Sequence, residues 1–357
     1  PFRAPLNHDI LPDIPPPVIA GDLVIIPNPD DLGMPKSFLG LNVNSGQSLW
    51  EWQVGQLLSY TCAPMPIKEF LYIPSHGYLR KRALNTENAQ ANAISADKEI
   101  KPSGYLQPLS CSYKNRSYII LNSDKSLFIY DLQIEQCKIV GMKFQKKGDN
   151  IAGIAWNGEG VIILSQKGEI LSLGLNEKIQ TLGSLKGNIK ICSPPCSYKK
   201  DIYFEFMYEN DSKRRVCAFT QDKGAVIETE LEYEDGCTAE HFHWKFPPLI
   251  NKDGILLTSD SYSQIYICKR EDKILIKITK EIDISNGITN ISQPYSAVMG
   301  KYLISSAGNL FFYADLDNSS EKGLMDTGSV IIAQPAVNQK GLLFFLCIDG
   351  LHCYEVV

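Results

Sequence analysis

The feature that most constrains this chain is a short apolar run that recurs eight times along its 357 residues. Successive runs begin 40 to 53 residues apart. A period in this range indicates a repeat architecture, in which each unit buries its apolar surface against its neighbours. The runs occupy residues 23–26, 70–73, 118–121, 161–164, 202–206, 255–257, 302–304 and 342–346.

Each unit has the same internal order of short segments. A proline with small apolar residues comes first, as in Gln334-Pro335-Ala336-Val337, and a turn with glycine or charged residues leads into the apolar run. A polar turn then precedes an alternating segment such as residues 126–132, and a more polar segment such as residues 48–52 closes the unit. Short runs separated by turn residues predict β-strands, and no segment has the 3.6-residue period of a helix.

Four short strands in each unit predict an all-β fold, a β-propeller of four-stranded antiparallel blades. We expect about eight blades, with seven as the alternative, in a single domain spanning residues 1–357. Proline is tolerated in a sheet only at an edge, and the first strand of a blade is such an edge. Seven prolines fall at or just before that strand: Pro17, Pro64, Pro108, Pro195, Pro248, Pro294 and Pro335.

The eighth unit ends after three predicted strands. A circular array removes an exposed sheet edge when the opposite end of the chain supplies the missing strand. Residues 1–14, which include Leu6, Ile10 and Leu11, are the predicted donor of that closing strand. A loose N-terminal tail is the alternative.

Charge and hydropathy exclude two classes of partner. The formal net charge is −5, and the Lys and Arg residues are spread along the chain without a long basic block. Nucleic-acid binding needs a surface that neutralises phosphates, so we expect no nucleic-acid partner. No stretch approaches the roughly 18 apolar residues that span a bilayer, so we expect no membrane insertion.

The ten cysteines are scattered as single residues, mostly inside apolar runs. This pattern is typical of small buried side chains in a reducing compartment and predicts a cytoplasmic protein. The alternative is an exported or periplasmic protein, in which Cys192 with Cys196, or Cys347 with Cys353, forms a disulfide.

Residues 41–50, Leu-Asn-Val-Asn-Ser-Gly-Gln-Ser-Leu-Trp, resemble the repeat of the PQQ-like, or quinoprotein-like, β-propellers. The resemblance implies that Gly46 lies in the turn and that Trp50 lies at the outer edge of the blade, docked against the neighbouring blade. The match covers the first unit, while the other seven units share only the architecture. Trp156 and Trp244 lie at first-strand positions instead.

The resemblance implies two further functions as alternatives. The family includes quinoprotein dehydrogenases, which hold PQQ and Ca²⁺ over the propeller axis, and many of these carry two adjacent cysteines. This chain has no Cys-Cys pair. We therefore predict no cofactor and keep a PQQ- or metal-dependent oxidoreductase as an alternative. The other alternative is an exported assembly scaffold, similar to the propeller of the β-barrel assembly machinery.

One segment has the composition of a metal site. Cys237, His241 and His243 lie within seven residues, and His-x-His places both rings on one side of a strand. No second cysteine or histidine pair completes a tetrahedral set nearby, so an ordinary connecting loop is the alternative. Glu240 lies in the same segment, which we expect on a loop-bearing face.

The second unit carries a polar insertion at residues 85–104, which includes Asn85 and Glu87. Long loops on a rigid scaffold often bind ligands or partners, although an ordinary surface loop has the same composition. We therefore predict a non-catalytic scaffold that binds another protein, or another domain of a longer chain, through its axial face and loops. The predicted interaction residues are Asn85, Glu87, Glu240, His241 and His243.

Overall fold

The computed structural model describes residues 14–29, 35–54, 63–75, 78–84, 92–95, 108–175, 178–199, 201–209, 214–220, 225–231, 249–250, 256–259, 264–271, 275–283, 295–316, 322–338 and 340–355. In these ranges every regular element is a β-strand. The described part of the chain contains no helix long and apolar enough to cross a membrane.

The strands of the first four sheets follow one another in chain order. They are β1 (Val18–Ala20), β2 (Leu23–Pro29), β3 (Pro35–Asn42) and β4 (Ser48–Gln53); β5 (Met65–Ile67), β6 (Phe70–Ser75), β7 (Tyr78–Ala83) and β8 (Asn92–Ser95); β9 (Leu109–Tyr113), β10 (Arg116–Asn122), β11 (Ser126–Asp131) and β12 (Gln136–Gly141); β13 (Ile151–Trp156), β14 (Gly160–Ser165), β15 (Glu169–Gly174) and β16 (Ile179–Ser184). We name these sheets blades 1 to 4.

Blades 5 to 8 continue the same meander. Their strands are β17 (Ile189–Ile191), β18 (Cys196–Tyr198), β19 (Asp201–Tyr208), β20 (Arg214–Thr220) and β21 (Ala225–Leu231); β22 (Leu249–Ile250), β23 (Leu256–Ser259), β24 (Gln264–Glu271) and β25 (Leu275–Asp283); β26 (Tyr295–Met299), β27 (Tyr302–Ala307), β28 (Leu310–Asp315) and β29 (Lys322–Asp326); β30 (Ala336–Val337), β31 (Leu342–Cys347) and β32 (Gly350–Glu355).

Among the described residues these strands form eight antiparallel sheets, in which neighbours in sequence are neighbours in the sheet, except that β17 and β18 of blade 5 both pair with β19. Six sheets have four strands, blade 5 has five and blade 8 has three. The predicted all-β fold of four-stranded antiparallel blades is therefore confirmed, with about eight blades. By internal contacts the chain divides into two compact units, Pro1–Ser95 with Asn290–Val357, and Ala96–Thr289.

The recurring apolar runs form the second strand of each blade. Alternate side chains of such a strand pack on opposite sides, because successive residues of a strand point to opposite faces. In blade 1, Ile25 packs with blade 2, whereas Val24 and Ile26 pack with blade 8. In blade 4, Ile162 packs with blade 5 and Ile163 with blade 3. Second strands are continuously apolar because both of their faces are buried.

One backbone hydrogen bond recurs at equivalent positions of four blades, although the residues that form it differ. The residue that follows the third strand donates its N–H to a carbonyl at or beside the turn between the first two strands. The pairs are Val43 to Asp22, Leu84 to Glu69, Leu132 to Ser117 and Leu316 to Lys301, at N···O distances of 2.9, 2.9, 3.1 and 2.8 Å. The repeat is thus regular in its backbone although its sequence is degenerate.

Proline marks the start of the first strand, as predicted. Five of the seven prolines lie in the described residues; four of them immediately precede the first strand of a blade, and Pro195 lies within that of blade 5. In blade 5 the first strand is divided into β17 and β18, which pair with the two ends of β19. Pro194 and Pro195 lie between them, and these residues lack the N–H that a continuous ladder needs.

The first and last blades pack against each other within their unit. Val24 and Leu41 of blade 1 share a buried cluster with Phe344 and Leu346 of blade 8. Ile14 is buried in the same cluster. Residues 1–13 lie outside the described residues, so the predicted closing strand stays a prediction, as does the single domain.

Part of the predicted insertion in blade 2 is a strand. β8, within residues 85–104, pairs antiparallel with β7 as the fourth strand of that blade. The sequence did not predict this strand, because its polar residues lie on the least buried strand of a blade. The seven cysteines in the described residues are free thiols, and they include both predicted disulfide pairs.

Candidate functional site

Most residues predicted as sites lie outside the described residues. This applies to the candidate metal ligands Cys237, His241 and His243, and to Glu240, Asn85 and Glu87 of the predicted interaction surface. Gly46 and Trp50 are described. Two further groups of side chains lie in the described part of the chain: an aromatic row in blades 3 to 5 and a polar trio in blade 8.

Gly46 lies in the turn between β3 and β4, with a φ of +68°. Asn42 begins this turn, and its side-chain oxygen accepts hydrogen bonds from the N–H groups of Asn44 and Ser45. The Gly46 N–H donates to the Asn42 carbonyl at 2.8 Å. Glycine adopts this left-handed conformation without strain, so the turn returns the chain into β4.

Trp50 lies on β4, the outermost strand of blade 1, where the resemblance placed it. Its indole N–H donates to the carbonyl of Leu84 in blade 2 at 2.9 Å. The guanidinium carbon of Arg82, also in blade 2, lies 4.2 Å from the indole centroid. Trp50 therefore docks blade 1 against blade 2, which is a structural role.

The aromatic row consists of Tyr113, Trp156 and Tyr198, the last residues of β9, β13 and β18. These strands are the first strands of blades 3, 4 and 5, and β13 contacts both others. Tyr113 and Trp156 pack edge to face, with centroids 6.3 Å apart. The hydroxyl of Ser197, next to Tyr198, donates to the carbonyl of Trp156. All three aromatic side chains are partly exposed.

The turns that follow the three aromatic residues have constrained backbones. Lys114 and Asn115 follow Tyr113 with φ values of 47° and 63°, and Lys199 follows Tyr198 with a φ of 56°. A non-glycine residue in this region costs about 1–2 kcal/mol, so these tight turns are held by the surrounding sheet. After Trp156, the side chain of Asn157 accepts hydrogen bonds from two N–H groups of its own turn.

The charged side chains of these turns are exposed next to the rings. The Lys114 ammonium lies 5.3 Å from the ring centroid of Tyr113, and that of Lys199 lies 5.0 Å from the ring centroid of Tyr198. Glu159, in the turn that follows Trp156, is also exposed. The row offers aromatic faces, hydroxyl groups and nearby exposed ammonium groups, which suit binding.

The polar trio consists of Cys347, Asp349 and His352, on the hairpin between β31 and β32. Their ligand atoms all lie within 4.8 Å of one another, and they are the one group of possible metal ligands among the described residues. His352 Nε2 lies 3.0 Å from Asp349 Oδ1. Burial raises the pKa of Cys347 to about 11. Hydrogen bonds from Ser329 and, less strongly, from His352 lower the pKa of Asp349.

The trio was not predicted from the sequence, where Cys347 was considered only with Cys353, as a possible disulfide. The register places Cys353 opposite Phe344 and His352 opposite Phe345, so these two adjacent side chains lie on opposite faces of β32. The signal that would have found the trio is the spacing Cys-x-Asp-x-x-His across a two-residue turn, which returns the histidine to the cysteine's face.

No family model and no curated protein matches this sequence. Solved structures match at the level of fold. BamB from Moraxella catarrhalis has a TM-score of 0.60 at 12% identity, covering 98% of this chain and 95% of that one. The dihydro-heme d1 dehydrogenase NirN has a TM-score of 0.63 at 12% identity, covering 96% and 72%. The β-propeller domain of Cps50 (Swd1) from Myceliophteria thermophila has a TM-score of 0.51 at 12% identity, covering 81% and 93%. At such identities the likeness shows the fold alone, and the fold is a β-propeller.

Proposed function

We propose that this β-propeller is a non-catalytic binding platform that recognises a protein partner through the aromatic row of blades 3 to 5. The observation that carries the proposal is the alignment of Tyr113, Trp156 and Tyr198 at the ends of three neighbouring first strands. Each ring is partly exposed on a strand whose backbone is fixed in a sheet.

Aromatic residues of this kind suit protein recognition. Tyrosine and tryptophan bury a large area with few rotatable bonds, and both are enriched at the residues that dominate binding energy. Here the Tyr113 and Trp156 rings pack edge to face before a partner arrives, and the Ser197 hydrogen bond joins the backbone at Trp156 to the strand that carries Tyr198. Less conformational entropy is therefore lost on binding.

The resemblance of residues 41–50 to PQQ-like repeats supports the same class of function. Trp50 and Gly46 have structural roles that such a repeat requires of any member, catalytic or not. Our proposal is that the chain is similar to the scaffold members of that family and acts in the cytoplasm. The partner is then another protein or another domain of a longer chain.

The experiment is affinity capture with the full chain as bait, followed by measurement of the dissociation constant for the purified partner. We expect Trp156→Ala to weaken binding by about 30-fold or more, since residues at the centre of an interface contribute about 2 kcal/mol or more. Tyr113→Ala and Tyr198→Ala should each weaken it by a smaller factor.

Ile134 provides the matched control. It lies in the turn between β11 and β12, is 52% exposed and belongs to the same unit. Ile134→Ala should leave the dissociation constant unchanged, and circular dichroism should show that both variants keep the β-sheet signal. Equal effects of Trp156→Ala and Ile134→Ala would contradict the role of the row. A PQQ-dependent activity of the purified chain would instead favour the oxidoreductase alternative.

A further inference from the structure

The hairpin of β31 and β32 brings three different ligand types to one place. Cys347 pairs with Gly350 and Phe345 pairs with His352, so Cys347 and His352 lie on the same face of the sheet. Asp349 lies in the turn between them, with its carboxylate 3.0 Å from the imidazole. The trio therefore combines a sulfur, an oxygen and a nitrogen donor within 4.8 Å.

The combination of thiol, imidazole and carboxylate ligands indicates which class of metal ion the trio would bind. Thiolate and imidazole are ligands for Zn²⁺ and related transition metals, whereas Ca²⁺ and Mg²⁺ take oxygen ligands almost exclusively. In a tetrahedral Zn²⁺ site, metal–ligand lengths of about 2.0–2.3 Å place neighbouring donors about 3.4–3.6 Å apart. The imidazole Nε2 and the carboxylate Oδ1 are within about 0.5 Å of that separation, and the Cys347 sulfur lies within 4.8 Å of the ligand atoms of both residues.

The geometry points to a binding site for one divalent transition-metal ion of the zinc class, with Cys347, Asp349 and His352 as its ligands. Three protein ligands leave one position of a tetrahedral site for water or for a group of another molecule. Binding converts the Cys347 thiol to a thiolate and releases its proton to solvent. This inference is independent of the proposed binding function of the aromatic row.

The surroundings support a built site. Residues 327–335, which connect blade 7 to blade 8, run alongside the hairpin, and Ile331 forms a backbone bridge with Cys347. From this connection Thr327 hydrogen-bonds to the Cys347 side chain and Ser329 to Asp349. Residues that hydrogen-bond to metal ligands, as Thr327 and Ser329 do here, commonly surround metal sites and orient the ligands before an ion binds.

The test is a titration of the full reduced chain with Zn²⁺ against a chromophoric chelator, repeated with Co²⁺. Wild type should bind Zn²⁺, and its Co²⁺ form should show thiolate-to-cobalt charge-transfer absorption. Cys347→Ser should abolish that absorption. Both Cys347→Ser and His352→Ala should weaken Zn²⁺ binding by more than about 100-fold, because even changes around the ligands cost about 10–100-fold.

Two controls make the result specific. Cys353→Ser removes the neighbouring, exposed thiol on the other face of β32 and should change neither the affinity nor the absorption. A combined Cys237→Ser, His241→Ala and His243→Ala variant should still bind one ion with that absorption. Because Cys347 is buried, Asp349→Asn provides an exposed substitution and should also weaken binding. Absence of Zn²⁺ binding, loss in Cys353→Ser, or loss only in the combined variant would overturn the inference.

Discussion

In blades 1 and 7 an aromatic side chain covers a glycine of the adjacent strand, but the aromatic residue and the glycine exchange strands between the two blades. In blade 1 the aromatic Trp50 lies on the fourth strand and covers Gly40 on the third. In blade 7 Tyr313 lies on the third strand and covers Gly323 on the fourth. A Cβ atom at Gly40 would lie 2.2 Å from the Trp50 ring, and one at Gly323 would lie 2.4 Å from the Tyr313 ring. Each glycine is covered by a ring that lies across the strand pair.

The two rings differ in what holds them. Trp50 is 6% exposed, hydrogen-bonded to Leu84 and stacked on Arg82, all across the border with blade 2. Tyr313 is partly exposed and packs edge to face with Tyr302 of its own blade, with centroids 6.5 Å apart. Trp50 is therefore held by a hydrogen bond and a stacked guanidinium from blade 2, whereas Tyr313 lies at the edge of the apolar cluster that blades 7 and 8 share.

The largest expected effect comes from Trp50→Ala. This change removes a buried ring, its hydrogen bond to Leu84 and its stacking with Arg82, so we expect a loss of about 3–5 kcal/mol in the free energy of unfolding. The measurement is the urea midpoint followed by far-ultraviolet circular dichroism. Trp50→Phe keeps most of the apolar contact and should lose less. A loss below about 1 kcal/mol for Trp50→Ala would show that blade 1 docks through other residues.

Gly40→Ala should have the next largest effect. Its Cβ atom would overlap a ring that cannot move without breaking the Leu84 hydrogen bond. Overpacking of this kind costs about 1–3 kcal/mol, and we expect a value near the upper end. The double variant Gly40→Ala with Trp50→Ala should be less destabilised than the sum of the single changes, because the clash disappears with the ring. Simple additivity would contradict the overlap.

Gly46→Ala tests the turn that positions Trp50. An added Cβ atom would meet nothing within 4 Å, so only the φ of +68° opposes alanine. The expected loss is about 1–2 kcal/mol in the free energy of unfolding. Gly46→Asn is the matched control, since asparagine tolerates this conformation better, and it should lose less. Equal losses for the two variants would mean that the turn is not strained by alanine.

The fold was predictable because its main signal is physical and repeated. Runs such as residues 161–164 are buried on both faces, so their apolar character recurs in every blade and shows the period. Weaker strands were not predictable in the same way. β8 has only four residues and β17 only three, and what defines them is their pairing with a neighbouring strand.

The candidate sites were less predictable, because they depend on distances between strands. Tyr113, Trp156 and Tyr198 come from three blades, and nothing in their local sequences indicates that they lie in one row. The trio of Cys347, Asp349 and His352 lies in one hairpin, yet its spacing becomes meaningful only once the two-residue turn is known. Trp50 was recognised because its repeat carries a local signature, whereas the equivalent pair in blade 7 carries none.

Gly323→Ala should have the smallest effect and provides the sharpest contrast with Gly40→Ala. The two overlaps are nearly equal in distance, but the Tyr313 ring is partly exposed and no indole hydrogen bond to a second blade fixes it. The ring can turn toward solvent, and alanine recovers about 0.5–1 kcal/mol of the entropic cost of glycine in a strand. We therefore expect a change within about 1 kcal/mol of zero in the free energy of unfolding. A loss of unfolding free energy as large as that of Gly40→Ala would show that the overlap with the added Cβ atom, and not the freedom of the Tyr313 ring to move, determines the destabilisation.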